Sequence, residues 1–350
     1  MTGTRTGTGT RTGAGTRTGT RTGAGTRTGT RTGAGTRTGT RITGLGHYQP
    51  AKVLTNGDLA AVVDTSDEWI TSRVGIRTRH IAGPDEPVDE LAAHAAAKAL
   101  AAAGLAPADI DLVLVATSTA VDRSPNTAAR VAARLGMASP ATMDLNVVCA
   151  GFTHALATAD HAVRAGSAVR ALVIGADKMS EITDWTDRTT CVLVGDGAGA
   201  AVVEACEERD SGIGPVLWGS LPQMGHAVRI EGMPPRFAQE GQSVYRWATT
   251  QLPPIARAVC ERAGIAPEEL AAVVLHQANL RIIEPVAERI GAVNAVVARD
   301  VVESGNTSAA SIPMALAKLV ERGEVASGAP ALLFGFGGNL SYAGQVVHCP

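Results

Sequence analysis

Apolar and polar positions along this chain alternate between two rhythms. Short apolar runs that end in glycine or a polar residue are followed by alanine-rich stretches of helical period. In the first half the order is 91–103 (helical), 112–116 (apolar run), 126–135 (helical) and a run ending at Val148. Continuous apolar runs bounded by turn residues predict strands buried on both faces, and the 3.6-residue period predicts helices laid over them. The same order returns as 244–263, 273–276, 281–290, 296–298 and 308–320, while 194–204 predicts a strand that closes the first sheet. The fold class is therefore α/β, with mostly parallel strands expected inside each sheet.

The two halves are copies. AGLAPADIDLVLVA at 103–116 lies over AGIAPEELAAVVLH at 263–276, and ALVIG at 171–175 lies over ALLFG at 331–335, both at an offset of 160. An offset that long is a duplicated domain and not a solenoid. The register divides the chain into residues 1–41, a first half at 42–210, a Gly- and Pro-rich connection at 211–242, and a second half at 243–350. It also sets Cys149 opposite Ala309 and His276 opposite Ala116, with Asn306 three residues before the position matching the cysteine.

Composition changes the picture mainly at the start. Residues 1–41 carry eight of the 31 basic residues and none of the 33 acids, in a repeating Arg/Thr/Gly pattern without large apolar side chains. Such a tract cannot bury enough surface to offset its ordering entropy, so it is expected to be a disordered, functionally inert tail. It has no aromatic to stack on bases and no apolar face for a transit helix. The remaining 309 residues hold 23 basic and 33 acidic side chains, a balance that argues against nucleic-acid binding and leaves room for local basic patches. No membrane span or secretory signal is expected, and five cysteines without a CxxC fit neither a disulfide framework nor a zinc site. A reducing cytoplasm is the expected compartment.

The chemistry concentrates at one cysteine. Residues 144–148 read as a strand and Cys149-Ala150-Gly151 opens a helical stretch, so the sulfur should stand at a helix N-terminus where thiolate is favoured. The small residues that follow let a carbonyl approach the Cys149 N–H. Most free cysteines are small buried hydrophobes, and a lone His276 or Asn306 is more often structural. The duplication changes that balance. His276 ends a strand and Asn306 occupies the turn before the helix matching the cysteine helix, so both should face the sulfur across a pseudo-two-fold axis.

HQANLRII (276–283), ESGNTSAASIP (303–313), NVVCAGFTHAL (146–156), TSDEWITSRVGIRTRHIA (65–82) and GDGAGAAVV (195–203) resemble the signature segments of the β-ketoacyl-[acyl carrier protein] synthase III family, from about residue 41 to the C-terminus. The resemblance implies a thiolase-like fold of two helix-covered mixed sheets in five αβαβα layers, assembled as a homodimer. It implies decarboxylative condensation of an acyl-CoA primer with malonyl-acyl carrier protein, an acyltransferase reaction needing no metal or organic cofactor. Cys149, His276 and Asn306 would be catalytic, and the N–H groups of Cys149 and Gly338 would form the oxyanion hole. Trp69, Arg73, Arg188, Asn279 and Arg281 would bind CoA. Gln277, Ala278, Asn279, Leu280, Arg281 and Arg246 would meet the acyl carrier protein, with Arg289 extending the patch.

Three departures modify this expectation. Ser124 replaces a bulky gate of the acyl pocket, Asn339 replaces a glycine after Gly338, and the segment 218–242 is short. A primer larger than acetyl is expected. The alternatives are a starter-unit synthase of a polyketide pathway, a related acyltransferase that does not condense, and a non-catalytic partner subunit, the last disfavoured by retention of Cys149. The glycines of GDGAGA lack the spacing of a nucleotide loop and are expected to permit close packing.

Overall fold

The computed structural model describes Gly3 and residues 38–350. The tail expected at 1–41 therefore lies, apart from Gly3 and its last four positions, outside the described residues. Those four are not tail: they begin the first strand, where Thr38 to Arg41 pair with Glu207 to Glu204.

In chain order the strands are β1 (Thr38–Tyr48), a ribbon of β2 (Val53–Thr55) and β3 (Thr78–His80), then β4 (Leu112–Ala116), β5 (Ala141–Leu145), β6 (Arg170–Lys178) and β7 (Asp196–Glu207). They continue as β8 (Leu217–Gly219), a hairpin of β9 (Val228–Glu231) and β10 (Arg236–Gln239), then β11 (Ala272–Leu275), β12 (Val296–Val297), β13 (Pro330–Phe336) and β14 (Tyr342–His348). Two five-stranded sheets result, ordered β1-β7-β6-β4-β5 and β8-β14-β13-β11-β12. The duplication seen in the sequence is thus a duplication of topology. Each sheet is mixed, with two parallel pairings at the β4 or β11 side and two antiparallel pairings at the other. The expectation of mostly parallel strands fails because β7 and β14 return directly beside their predecessors, and such a hairpin return runs antiparallel.

Alternation along the strands builds five layers. Leu112, Leu114 and Ala116 face one way with Ala272 and Val274, into a central core filled by Phe152, Leu156, Ile312 and Leu316 of the helices Gly151–Arg164 and Ser311–Glu321. Val113 and Val115 point outward under the helices Val88–Ala103 and Thr127–Arg134. Val273 and Leu275 likewise point outward under Gly241–Ala263 and Leu280–Ile290. Period-two strands covered on both faces give helix, sheet, helix pair, sheet, helix. The inner helices lie close: a Cβ at Gly199 would come within 2.5 Å of the Met314 backbone nitrogen, so the GDGAGA glycines do permit close packing.

The connection expected at 211–242 is shorter than that. β8 already belongs to the second sheet, and β9–β10 form their own hairpin.

Candidate active site

β5 stops at Leu145, so the strand expected through Val148 ends three residues early. The chain turns through Asn146 and Val147 into a 3-10 turn, Val148–Ala150, that runs directly into the helix Gly151–Arg164. Val148 sits at φ +46°, a left-handed conformation costly for a β-branched residue, and the turn thereby aims Cys149 into the interior. Opposite it lies the turn between β13 and β14. A Cβ at Gly337 would fall 2.5 Å from the Cys149 Cβ and 3.0 Å from its Sγ, so only glycine lets that backbone close over the sulfur.

Burial pushes the Cys149 thiol up to about 12, and the carboxyl of Asp177 adds to the rise. The Ser308 hydroxyl and the backbone N–H groups of Cys149 and Gly338 draw it the other way. The expected depressed thiol pKa is therefore corrected. Enclosure can shift a buried group by about 3–5 units, whereas a helix terminus is worth about 0.3–2 kcal/mol at 1.36 kcal/mol per unit. Burial wins, and the resting sulfur is a thiol. The same two N–H groups are those expected of an oxyanion hole.

His276 follows β11, its backbone N–H held by the Phe334 carbonyl at 2.9 Å. The ring is 2% exposed and stands edge-on to Phe336 at 5.3 Å. Its Nδ1 meets the Ser311 hydroxyl at 2.8 Å, and burial lowers its pKa to about 3, so the imidazole is neutral. Asn306 is locked by backbone bonds: its N–H to the Leu193 carbonyl at 2.7 Å, its carbonyl to the Gly195 N–H at 3.1 Å. Its side-chain Oδ1 accepts the Ser308 N–H at 2.9 Å, which leaves the Nδ2 hydrogens as free donors.

Sequence reasoning missed Asp177 and Ser308. Asp177, at 0% exposure, accepts from Ser118 N–H at 2.8 Å, from the hydroxyls of Thr117, Ser118 and Thr119, and from the Ala309 N–H at 3.0 Å. Burial still raises its pKa. The Ser308 hydroxyl lies between this carboxyl and the Cys149 sulfur, drawing both pKa values down without a hydrogen bond of good geometry. Ser308 repeats the left-handed turn of its counterpart Val148, at φ +50°. The signal was available: Asp177 stands 160 positions before Gly337.

Of the residues expected to bind CoA, Trp69, Arg73, Asn279 and Arg281 line, with Arg246, a cavity of about 650 Å³. The Arg188 guanidinium lies over the Trp69 ring at 5.1 Å, with that of Arg73 at 6.0 Å. Asn279 caps the helix Leu280–Ile290 through the Ile282 N–H, and Arg281 and Arg246 are exposed. Gln277 is different. It is 1% exposed and its amide is spent on the Leu275 and Ala298 carbonyls and the Val301 N–H, so the expectation that it touches a partner is corrected: it braces the segment from within. Ala278 is also buried, and Leu280, half-buried, packs against Gly75. Arg289 donates to the Thr249 carbonyl.

A second cavity, of about 700 Å³, reaches Val148 and Gly338 between Ser118, Asn146, His226 and Asn339. Asn339 holds φ +58°, which asparagine tolerates better than most residues, and its carbonyl accepts the Leu221 N–H at 3.3 Å. Ser124 is exposed on the loop after β4 and lines neither cavity. Among the described residues no His/Cys/Asp/Glu cluster could hold a metal ion, and no helix is long and apolar enough to cross a membrane.

Comparison with known proteins gives a consistent answer. Residues 143–222 match the family 3-oxoacyl-[acyl-carrier-protein] synthase III, and residues 260–349 match its C-terminal family. The chain is 84% identical over 310 residues to β-ketoacyl-[acyl-carrier-protein] synthase III 2 of Streptomyces avermitilis, covering 88% of this chain and 98% of that protein. Among solved structures, the priming β-ketosynthase of the R1128 polyketide pathway superposes with a TM-score of 0.88 at 39% identity, over 92% of this chain and 99% of that one. The 3-oxoacyl-[acyl-carrier-protein] synthase III of Aquifex aeolicus does so at 0.84 and 40%, over 89% and 100%.

Proposed function

Because the chain belongs to the 3-oxoacyl-[acyl-carrier-protein] synthase III family and is a condensing acyltransferase of fatty acid synthesis, we propose that Cys149, His276 and Asn306 carry its reaction. The Cys149 sulfur attacks the thioester of an acyl-CoA, CoA leaves with the thiol proton, and the acyl group stays on sulfur. The N–H groups of Cys149 and Gly338 hold the oxyanion. Malonyl-acyl carrier protein then loses carbon dioxide, and its thioester oxygen, now an enolate, rests on His276 and on the Nδ2 donor of Asn306. The enolate carbon attacks the acyl-cysteine and releases 3-ketoacyl-carrier protein. The departing thiolate takes up the one proton that the net reaction consumes. Loss of carbon dioxide supplies the carbanion, so the chemistry calls for no cofactor.

One observation carries this reading: the Asn306 Oδ1 accepts the Ser308 N–H at 2.9 Å, which leaves its Nδ2 to donate, while the Ser308 side chain also approaches the Cys149 thiol. Intact mass after incubation with acyl-CoA, followed by condensation with malonyl-carrier protein, tests it. Cys149→Ala loses the acyl adduct, while Asn306→Ala forms it and condenses at least about a hundredfold more slowly. Normal condensation by Asn306→Ala refutes the assignment.

The cavity lined by Trp69, Arg73, Asn279 and Arg281, with Arg188 over the Trp69 ring, supports CoA binding there, and the exposed Arg281 and Arg246 would meet an acidic carrier. Ser124 lines neither cavity of its own chain, so its small side chain would widen the acyl pocket of a partner copy, and on that arrangement we assign a primer larger than acetyl; a strict acetyl preference across a panel of acyl-CoAs refutes it. Likeness to a priming β-ketosynthase favours polyketide starter synthesis as a second reading, distinguished by which carrier protein is used. The edge strand β5, exposed along most of its length, supports a homodimer, and five free cysteines are what a reducing cytoplasm leaves.

A further inference from the structure

Ser311 is the first residue of the helix Ser311–Glu321, a position where serine hydroxyls commonly serve the helix end. Here no side-chain hydrogen bond caps that end. The hydroxyl, 1% exposed, has two partners among the described residues: Nδ1 of His276 at 2.8 Å and the Gln277 N–H at 3.3 Å. The backbone N–H can only donate, so the serine oxygen accepts from it. If the oxygen also accepted from Nδ1–H, its own hydrogen would be left buried without an acceptor, a loss that folded proteins avoid. The arrangement closes only when Ser311 donates to Nδ1.

We infer that Ser311 is a positioning residue that donates its hydroxyl hydrogen to Nδ1 of His276 and so holds the imidazole as the Nε2–H tautomer. The proton then sits on the nitrogen that makes no hydrogen bond within the described chain. A neutral histidine in this form is a donor at Nε2 and has no free lone pair on the ring, so it stabilises an oxyanion and does not accept a proton from the nucleophile.

The duplication provides an independent line. Position 311 matches Gly151 and position 276 matches Ala116. The two positions face each other in both halves, since a Cβ at Gly151 would lie 2.9 Å from that of Ala116. The half without the histidine holds Ala and Gly there; the half with it holds His and Ser. The hydroxyl accompanies the imidazole and is not demanded by the backbone turn, which forms without it.

This inference rests on the proposed role of His276, and the experiment separates the two. Nitrogen-15 NMR of the wild-type chain labelled at histidine, with the His276 signals identified by loss in His276→Ala, reads the tautomer whether or not any Ser311 variant folds well. The expected result is an unprotonated Nδ1 and a protonated Nε2 that do not titrate between about pH 5 and about pH 9. In Ser311→Ala the tautomer preference is lost and decarboxylation of malonyl-carrier protein falls about 10–100-fold, by analogy with the orienting partners of metal-bound histidines. A proton on Nδ1 in the wild type, or wild-type decarboxylation by Ser311→Ala while His276→Ala is inactive, overturns the inference alone. Normal decarboxylation by His276→Ala overturns the underlying reading.

Discussion

A thiol and an imidazole normally titrate on either side of neutrality, and in this protein burial drives them apart, Cys149 to about 12 and His276 to about 3. Neither carries charge at neutral pH in the resting chain. Alkylation of Cys149 by a small reagent, followed by mass, should therefore be slow near neutral pH and rise about tenfold per unit above it, because only thiolate reacts. A fast, pH-independent adduct would contradict this. For His276 the folded pKa lies below the ordinary 6.5, so its contribution to stability is complete above 6.5 and is lost as pH falls toward about 3. Urea unfolding at about pH 7 and about pH 4.5 should show wild type losing on the order of 2 kcal/mol more than His276→Gln. Equal losses would place the ring elsewhere.

Elements put these side chains where they are, and here the sequence was legible unevenly. The helices were readable to within a few residues because their apolar period reports a buried face: 91–103 was expected where Val88–Ala103 forms, and 281–290 where Leu280–Ile290 forms. The turns were not. Nothing local announces that Val148 takes a left-handed φ, or that Asp144, read as part of a strand running to 148, receives the Thr127 and Ala128 N–H groups at the start of the preceding helix. Cys149, His276 and Asn306 stood out as candidates because each ends or begins a strongly patterned element. Gln277 was misjudged because a polar residue in a polar-looking string reads as exposed, and only tertiary structure reveals the three backbone groups that consume its amide. The sharpest element-level test is Gly337→Ala. The added methyl meets Cys149 at 2.5 Å, so acylation should be abolished with a stability loss of about 1–3 kcal/mol, measured by acyl adduct and thermal melt. Normal acylation would show that the β13–β14 turn does not close on the sulfur.

At the scale of the whole molecule, three cores hold five layers, and the β5 edge is exposed. β5 presents five residues with Met143 at 45% exposure, whereas the matching edge β12 has two residues. If β5 is where two copies join, Met143→Lys should shift the sedimenting species from dimer to monomer, since a charge on an edge strand opposes pairing. An unchanged mass would move the interface elsewhere. The two halves also preserve something about their origin. Val148 and Ser308 bear the same unfavourable backbone, though only one of them precedes a cysteine. Evolution does not maintain a costly conformation twice by accident. The shared contortion marks an ancestor in which both turns were equivalent, and the cysteine that follows one and the alanine that follows the other record how they diverged after the gene was doubled.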